Sequence, residues 1–365
     1  MSLPTQKPNQ GNGEQGILMI VIGVLAWMLF KKVIPSLLSF WSIYNSTIII
    51  SLILAVIAIL SRAVIGLWNT YVKQCHDDAI NAEDPSAVLL GRDMMTGQSV
   101  FLRQEFRTMH TQVIGTTNAG KSESAIITKA VKDIQNGSGI LLIDGKADGR
   151  FLDKLYAYVK KYKREKDFRL FSLGNIAASS TFNPLRGESA QQATERVFSS
   201  FKFENEYYRN IQFKYFLGIV RLIYEQKEVP TFSLVKRLLT DMEALAPWVV
   251  ASNDESLKKD MTAFIGLPTR EREEKTSGIE AAISNFTASE VGLLFEETED
   301  RIDLDEAMEK NLIIYFQLPT MYYPILGEAI GKLVLQTFQT AIARRQLKMR
   351  GGNGTEESDV FFLHP

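Results

Sequence analysis

Two glycines, Gly115 and Gly120, followed at once by Lys121-Ser122, constrain this 365-residue chain more than any other feature. Thr111–Ile114 before them reads as a short strand and Ser122–Gln135 after them as a helix. A strand that turns through a glycine-bearing loop into a helix points successive backbone N–H groups inward, where they can cradle an anion. The partial positive charge at a helix N-terminus adds to that attraction. In the spacing Gly-x4-Gly-Lys-Ser, the lysine supplies a point charge to phosphate oxygens and the serine hydroxyl ligates magnesium. The spacing therefore predicts a site for ATP with Mg2+. Its residues are Gly115, Thr116, Thr117, Asn118, Ala119, Gly120, Lys121, Ser122 and Glu123, with Lys121 catalytic and Ser122 the metal ligand.

Such a site also needs an acid to position magnesium and the attacking water. Gly139–Asp144 is a continuous apolar run, which suits a buried parallel strand, and Asp144 at its end is the candidate catalytic acid. The alternative to that reading is Asp144 as a strand-end turn former ahead of Gly145. The other place for the acid lies beyond the apolar run Val360–Leu363, where His364-Pro365 stand.

Leu152–Tyr162 reads as a helix and Phe168–Ser172 as a strand, so strands and helices alternate as in a parallel sheet with crossover helices. Residues 188–290 lose the strand signal and show helical periods at Ala190–Phe201, Tyr207–Tyr224 and Leu234–Leu245. Strand character returns at Asn311–Leu318, and the helix Pro324–Lys348 follows. Gly351–Gly354 reads as a flexible loop and Asp359–Leu363 as the start of a further strand.

The fold predicted is α/β: a RecA-like P-loop domain (85–187 and an incomplete 291–365) with an all-helical insertion (188–290), preceded by two transmembrane helices (16–70). Residues 1–15 are polar and read as a disordered cytosolic tail. The spans come from Ile17–Phe30 continued past Lys31-Lys32, and from Thr47–Leu60 continued past Arg62. A span needs about 20 apolar residues, so each run reaches that length only if its basic neighbour snorkels to the headgroups.

Composition adds mainly exclusions. A net charge of -1 gives no global attraction to nucleic acid. Cys75 is the single cysteine, so no intrachain disulfide forms, and His76, His110 and His364 show no metal-ligand spacing. The basic run Lys160–Lys166 has two readings, contact with DNA phosphates or the solvated end of a crossover helix. Arg344-Arg345 and Lys348 suit a helix C-terminus. Tyr207, Tyr208, Phe213, Tyr215 and Phe216 read as core packing ahead of base stacking. His110 reads as a strand-edge residue, and Gln317 is a candidate γ-phosphate sensor by its place at a strand end.

Several strings together carry a family resemblance. Ile114-Gly-Thr-Thr-Asn-Ala-Gly-Lys-Ser and Ile143-Asp-Gly-Lys-Ala-Asp are joined by Leu90-Gly91-Arg92-Asp93, Phe182-Asn183-Pro184-Leu185, Ile302-Asp303-Leu304 and Ile313–Pro319. The chain resembles the type IV coupling proteins, membrane-bound ATPases of conjugation and type IV secretion (VirD-type, TraD, TraG), in the FtsK–HerA branch. Within them it is most similar to the DotL and IncI-plasmid subgroup. The resemblance spans nearly all of residues 16–363. It implies a hexameric ring-forming ATPase on the bacterial inner membrane, two-pass, with the bulk of the chain in the cytoplasm. Its partners would be secretion-channel components and a relaxase–DNA complex or protein effectors. In the family, the strand matching Val360–Leu363 runs into an acidic Asp-Glu motif. The departure there leaves a non-hydrolysing nucleotide-binding scaffold, or an FtsK-type DNA translocase, as alternatives.

Overall fold

The computed structural model describes residues 11–40, 46–116, 119–203, 205–288, 290–351 and 361–364. The chain divides into two compact units, the first Met1–Glu83 with Arg92–Ser99, the second Asp84–Gly91 with Val100–Pro365.

The first unit consists mainly of two long helices, α1 (Gly11–Phe40) and α2 (Ser46–Glu83). One helix among the described residues is long and apolar enough to cross a membrane: Ile50–Gln74 within α2, 25 residues with none buried. At 1.5 Å per residue it extends about 37 Å, more than a hydrocarbon core of about 30 Å requires. The expected pair of spans is thereby corrected to one, and the two-pass inner-membrane topology drawn from the pair falls with it. The apolar run of α1, Ile17–Phe30, makes only about 21 Å of helix before Lys31-Lys32 ends it. Lys31 also folds back over the Trp27 ring, 4.9 Å from its centroid, rather than prolonging the apolar face.

After α2 come a two-stranded sheet of β1 (Val88–Arg92) and β2 (Ser99–Leu102) and the single turn α3 (Gln104–Arg107). A π-helical segment, Lys121–Ile126, runs into α4 (Ile127–Gln135), followed by β3 (Gly139–Asp144), α5 (Gly149–Lys161) and β4 (Phe168–Ser172). Six helices come next: α6 (Ala190–Ser200), α7 (Glu206–Glu225), α8 (Phe232–Thr240), α9 (Met242–Ala251), α10 (Glu255–Ile265) and α11 (Thr269–Ser284). The short α12 (Leu304–Glu309), β5 (Ile313–Gln317), α13 (Pro324–Gly351) and β6 (Phe361–His364) complete the described chain.

The main sheet has the order β4-β5-β3-β6, and every pairing given for it is parallel. Its register alternates side chains between two cores, as a period of two requires. Ile140, Leu142, Ile313 and Tyr315 face α4 and α5, packing on Ile127, Ala130, Ile134, Phe151, Leu155 and Val159. Leu141, Phe171, Ile314 and Phe316 belong to the larger core shared with α6–α13, in which Phe216, Phe232 and Phe286 are fully buried. Both faces are covered, so β3 and β5 read as unbroken apolar runs.

Two sequence expectations change here. Thr111–Ile114 belongs to no strand, and Val113 and Ile114 stand exposed. Both edges of β3 are taken by β5 and β6, so a further strand could join only at the outer edges of the sheet. His110 accordingly lies in an exposed loop rather than at a strand edge. The helix expected over Leu234–Leu245 breaks at Asp241, whose carboxylate leaves the helical path to cap α9 through the Ala244 N–H (3.0 Å). Residues 1–10, residues 41–45 between α1 and α2, and residues 352–354, where a glycine loop is expected, lie outside the described residues.

Arg164 fastens one end of the sheet. Its guanidinium donates to the carbonyls of Ser138 (2.8 Å) and Asn311, just ahead of β3 and β5, and to the Asp167 carboxylate (2.8 Å), just ahead of β4. Arg164→Ala removes three charge-assisted bonds and leaves two carbonyls short of a donor. A loss of about 2–4 kcal/mol is expected, checked by urea unfolding of the variant against the parent.

Candidate functional site

The loop from Gly115 to Ser122 is shaped by contacts that glycine alone permits. Gly120 has φ 75°, the left-handed region that a side chain disfavours, and sits at the entry to the π-helical segment. A Cβ on Gly115 would come within 3.3 Å of both the Ala119 Cβ and the Lys121 Cγ, so a side chain there would force those neighbours to give by a few tenths of an ångström. The Ala119 N–H donates to the Thr116 carbonyl (3.2 Å). Both the N–H and the hydroxyl of Ser124 donate to the Gly120 carbonyl, at 2.8 and 2.7 Å. Ser124 was invisible to the spacing argument; a serine two residues into the helix is a common enough pattern to pass unread. Thr117 and Asn118 lie outside the described residues.

Lys121 bends back over the loop. Its ammonium donates to the carbonyls of Gly115 (2.6 Å) and Thr116 (2.7 Å). An ammonium has three donors, so one remains for another acceptor. Ser122 is exposed beside it, and Glu123 forms an ion pair with Lys154 of α5. That pair is solvent-exposed on both sides and contributes little to stability. It does tie the opening of the loop helix to α5. The Ile127 N–H reaches back to the Ser122 carbonyl, the five-residue step of a π turn. Such turns are frequent at functional sites.

Asp144, Gln317 and Ser172 stand in one row across the C-terminal ends of β3, β5 and β4, the end of a parallel sheet where ligands bind. Asp144 Oδ1 accepts the Lys146 N–H (2.9 Å), and Oδ2 accepts the Asp148 N–H (2.8 Å) and the Tyr315 hydroxyl (2.8 Å). A carboxylate has about four acceptor positions, so roughly one stays free. These bonds hold the tight turn after β3, in which Ala147 has φ 56°. A non-glycine residue in that region stores about 1–3 kcal/mol and persists only when neighbours over-determine it. Asp144 is thus a turn former, and it retains capacity for one more donor or a cation. Among the described residues no hydrogen bond joins it to the phosphate loop. Gln317 is engaged by its sheet neighbour, its Oε1 accepting the Ser172 hydroxyl (2.7 Å).

The Tyr315 hydroxyl was missed because a tyrosine inside an apolar strand reads as core, and its ring is indeed fully buried. Burial, then the adjacent Asp144 charge, pushes its pKa well above the usual tyrosine range. Thr320 is a second such residue, closing the Asp144-Gly145 turn through its hydroxyl on the Gly145 carbonyl (2.8 Å).

The smaller sequence signals resolve individually. Of the aromatics near the start of α7, Phe216 is in the core and Phe213 and Tyr215 pack against it. Tyr207 is exposed instead, and Tyr208 donates to Glu274 (3.0 Å). Arg344 pairs with Asp305 and Glu188 rather than serving α13 alone.

A nucleotide phosphate fits this loop on its own geometry. Gly115 lets Ala119 and Lys121 pack closely against the loop backbone, Gly120 makes the turn, and Lys121 places its charge at the loop. The protein would hold the phosphates with the loop backbone and Lys121, and a magnesium ion with Ser122.

No protein-family model matches the chain. A stretch of 119 residues is 27% identical to the type 4 coupling protein DotL of Legionella pneumophila subsp. pneumophila, covering 30% of this chain and 15% of that one. The solved structure of the plasmid coupling protein TrwB with the non-hydrolysable ATP analogue ADPNP aligns at a TM-score of 0.43 and 11% identity, over 68% of this chain and 54% of that one. The bacterial conjugative coupling protein TrwBdeltaN70, in an unbound monoclinic form, aligns at 0.46 and 11%, over 72% and 57%. Both scores are too low to argue a shared fold. The chain spans a small part of DotL and just over half of the TrwB chains.

The Tyr315–Asp144 bond yields a pH prediction. A tyrosine whose pKa is raised on folding contributes stability that is fully present below the unfolded value, about 10, and is lost as pH rises above it. Tyr315→Phe should lower stability by about 1 kcal/mol at pH 7 through the lost bond. It should also remove up to about 1.4 kcal/mol per pH unit of the alkaline decline above pH 10. Urea midpoints of parent and variant between pH 8 and 11 check both.

Proposed function

We propose that this chain is an ATP-binding coupling protein of a conjugative or type IV secretion system, of the DotL-like subgroup. It binds ATP with magnesium on the Gly115–Ser122 loop, with Lys121 at the phosphates and Ser122 on the metal. Asp144, with its remaining acceptor position, orients the metal shell or the attacking water. The observation that carries the nucleotide half is the arrangement of the loop's described residues: a left-handed Gly120, a Gly115 packed closely against Ala119 and Lys121, and a lysine ammonium held over the carbonyls of Gly115 and Thr116. The coupling role is supported by the 119-residue likeness to DotL.

In this reading residues 85–187 and 291–365 form the nucleotide-binding domain, and 188–290 are an inserted helical domain that meets cargo. The helix Ile50–Gln74, with its apolar side chains uncovered, anchors the protein in a membrane. The protein acts as a hexameric ring, recruits a relaxase–DNA complex or protein effectors, and energises their passage through the channel.

The test separates binding from turnover. Fluorescent ATP analogue should bind the detergent-solubilised full chain with magnesium, and Lys121→Ala should weaken it roughly 10- to 100-fold, the value of one or two charge-assisted hydrogen bonds. Equal binding by parent and variant would remove the loop from the reading. ATP turnover no faster than that of Lys121→Ala, with binding intact, would leave a nucleotide-binding protein that does not hydrolyse.

A further inference from the structure

The second unit contains a cavity of about 320 Å³ that shares no lining residue with the phosphate loop. It lies among the segment after Phe182-Asn183-Pro184-Leu185, helices α6 and α7, and α12 with α13. Three arginines line it, Arg186, Arg196 and Arg344, and two of them are neutralised. Arg186 pairs with Glu297 and with Asp303 (3.2 Å), and Arg344 with Asp305 and Glu188.

Arg196 is different. It is 3% exposed, and its one described bond is from Nη2 to the Arg186 carbonyl (2.7 Å). Its Nε is buried with no partner, and no carboxylate pairs with it among the described residues. The acids that line the cavity are committed elsewhere or exposed. Asp303 caps α12 through the Asp305 and Glu306 N–H groups besides holding Arg186. Glu228 is exposed, as is Lys348.

Asp305, paired with Arg344, reaches Arg196 only as a charge at a distance, and Tyr224 supplies no counter-charge. Tyr224 donates its hydroxyl to the Leu185 carbonyl (2.8 Å), and burial holds its pKa above the usual range, so it stays neutral. A guanidinium stays protonated in proteins, and a buried charge without a partner is strongly unfavourable. The space in front of it is kept open by Gly187, where a Cβ would come within 3.2 Å of Arg196 Nη2.

We propose that this cavity is a second anion site, taking a small molecule whose carboxylate or phosphate group sits on the Arg196 guanidinium. The planar fork of donors suits either oxyanion. The volume lies at the low end of ligand sites, about 300–1,000 Å³, which is room for a small metabolite rather than a polymer. Lys348 and Glu228, exposed on the lining, then tune entry with opposite signs.

Calorimetric titration of the full chain with inorganic phosphate and, separately, with succinate tests this and tells the two chemistries apart. The titrations are run in the Lys121→Ala background, where the Gly115–Ser122 loop no longer competes for phosphate, and at least one anion should bind saturably. Arg196→Gln should weaken it about tenfold or more, Lys348→Gln should weaken it a few-fold, and Glu228→Gln should strengthen it. Circular dichroism shows whether Arg196→Gln folds. If it does not, the two exposed variants decide, since neither is buried. No saturable binding of either anion in that background, or indifference to the Lys348 and Glu228 changes, would each overturn the proposal.

Discussion

The Arg164 guanidinium sets the frame on which the second unit is built. Parallel strands enter a sheet at a common end, and the carbonyls just outside the ladder there lack strand partners. Arg164 takes up those of Ser138 and Asn311 and holds Asp167, so one side chain fixes the entries of β3, β5 and β4 relative to one another. With Ile140, Ile313 and Phe168 level at that end, Asp144, Gln317 and Ser172 come level at the other. A slip of one residue would exchange the two cores and turn the row of polar ends out of line.

That row and the loop before α4 use different means to keep their shape. The loop is closed by local contacts within about ten residues, through Gly115, Gly120, Lys121 and Ser124. Asp144 depends on distant chain: its donor Tyr315 lies 171 residues away, and Thr320, on the Gly145 carbonyl, 175 residues from its partner. The covered face of the sheet puts the Tyr315 hydroxyl where it can reach a carboxylate. Burial and that charge together keep the phenol neutral and donating.

Much of the secondary structure could be read from apolar runs and their punctuation. β3 and β4 have the limits that Gly139–Asp144 and Phe168–Ser172 gave them, and β5 lies within Asn311–Leu318. Periodicity could not show that Thr111–Ile114 stays out of the sheet, because a strand exists only where a neighbouring ladder has a free edge. Nor could hydropathy counted along α1 join what Lys31-Lys32 separates: the apolar length that matters is continuous, and among the described residues only Ile50–Gln74 has enough of it. The aromatics of α7 divide by helix face, which a count of aromatic residues does not report.

The sequence by itself determined the glycine spacing of the loop, the lysine and serine that follow it, and the alternation of strands and helices, all of them features of neighbouring residues. Only the tertiary structure decided what the charged residues do. Within Lys160–Lys166, where contact with DNA and a solvated helix end were both open, Arg164 turns inward and joins three strands, reaching a carbonyl 147 residues away. Arg196, one polar residue in an ordinary amphipathic helix, ends up buried with its Nε unpartnered and in no ion pair among the described residues. The physical reason is common to both: the free energy of a charge depends on its solvation and on the carboxylates and carbonyls near it. Folding places those neighbours from distant parts of the chain.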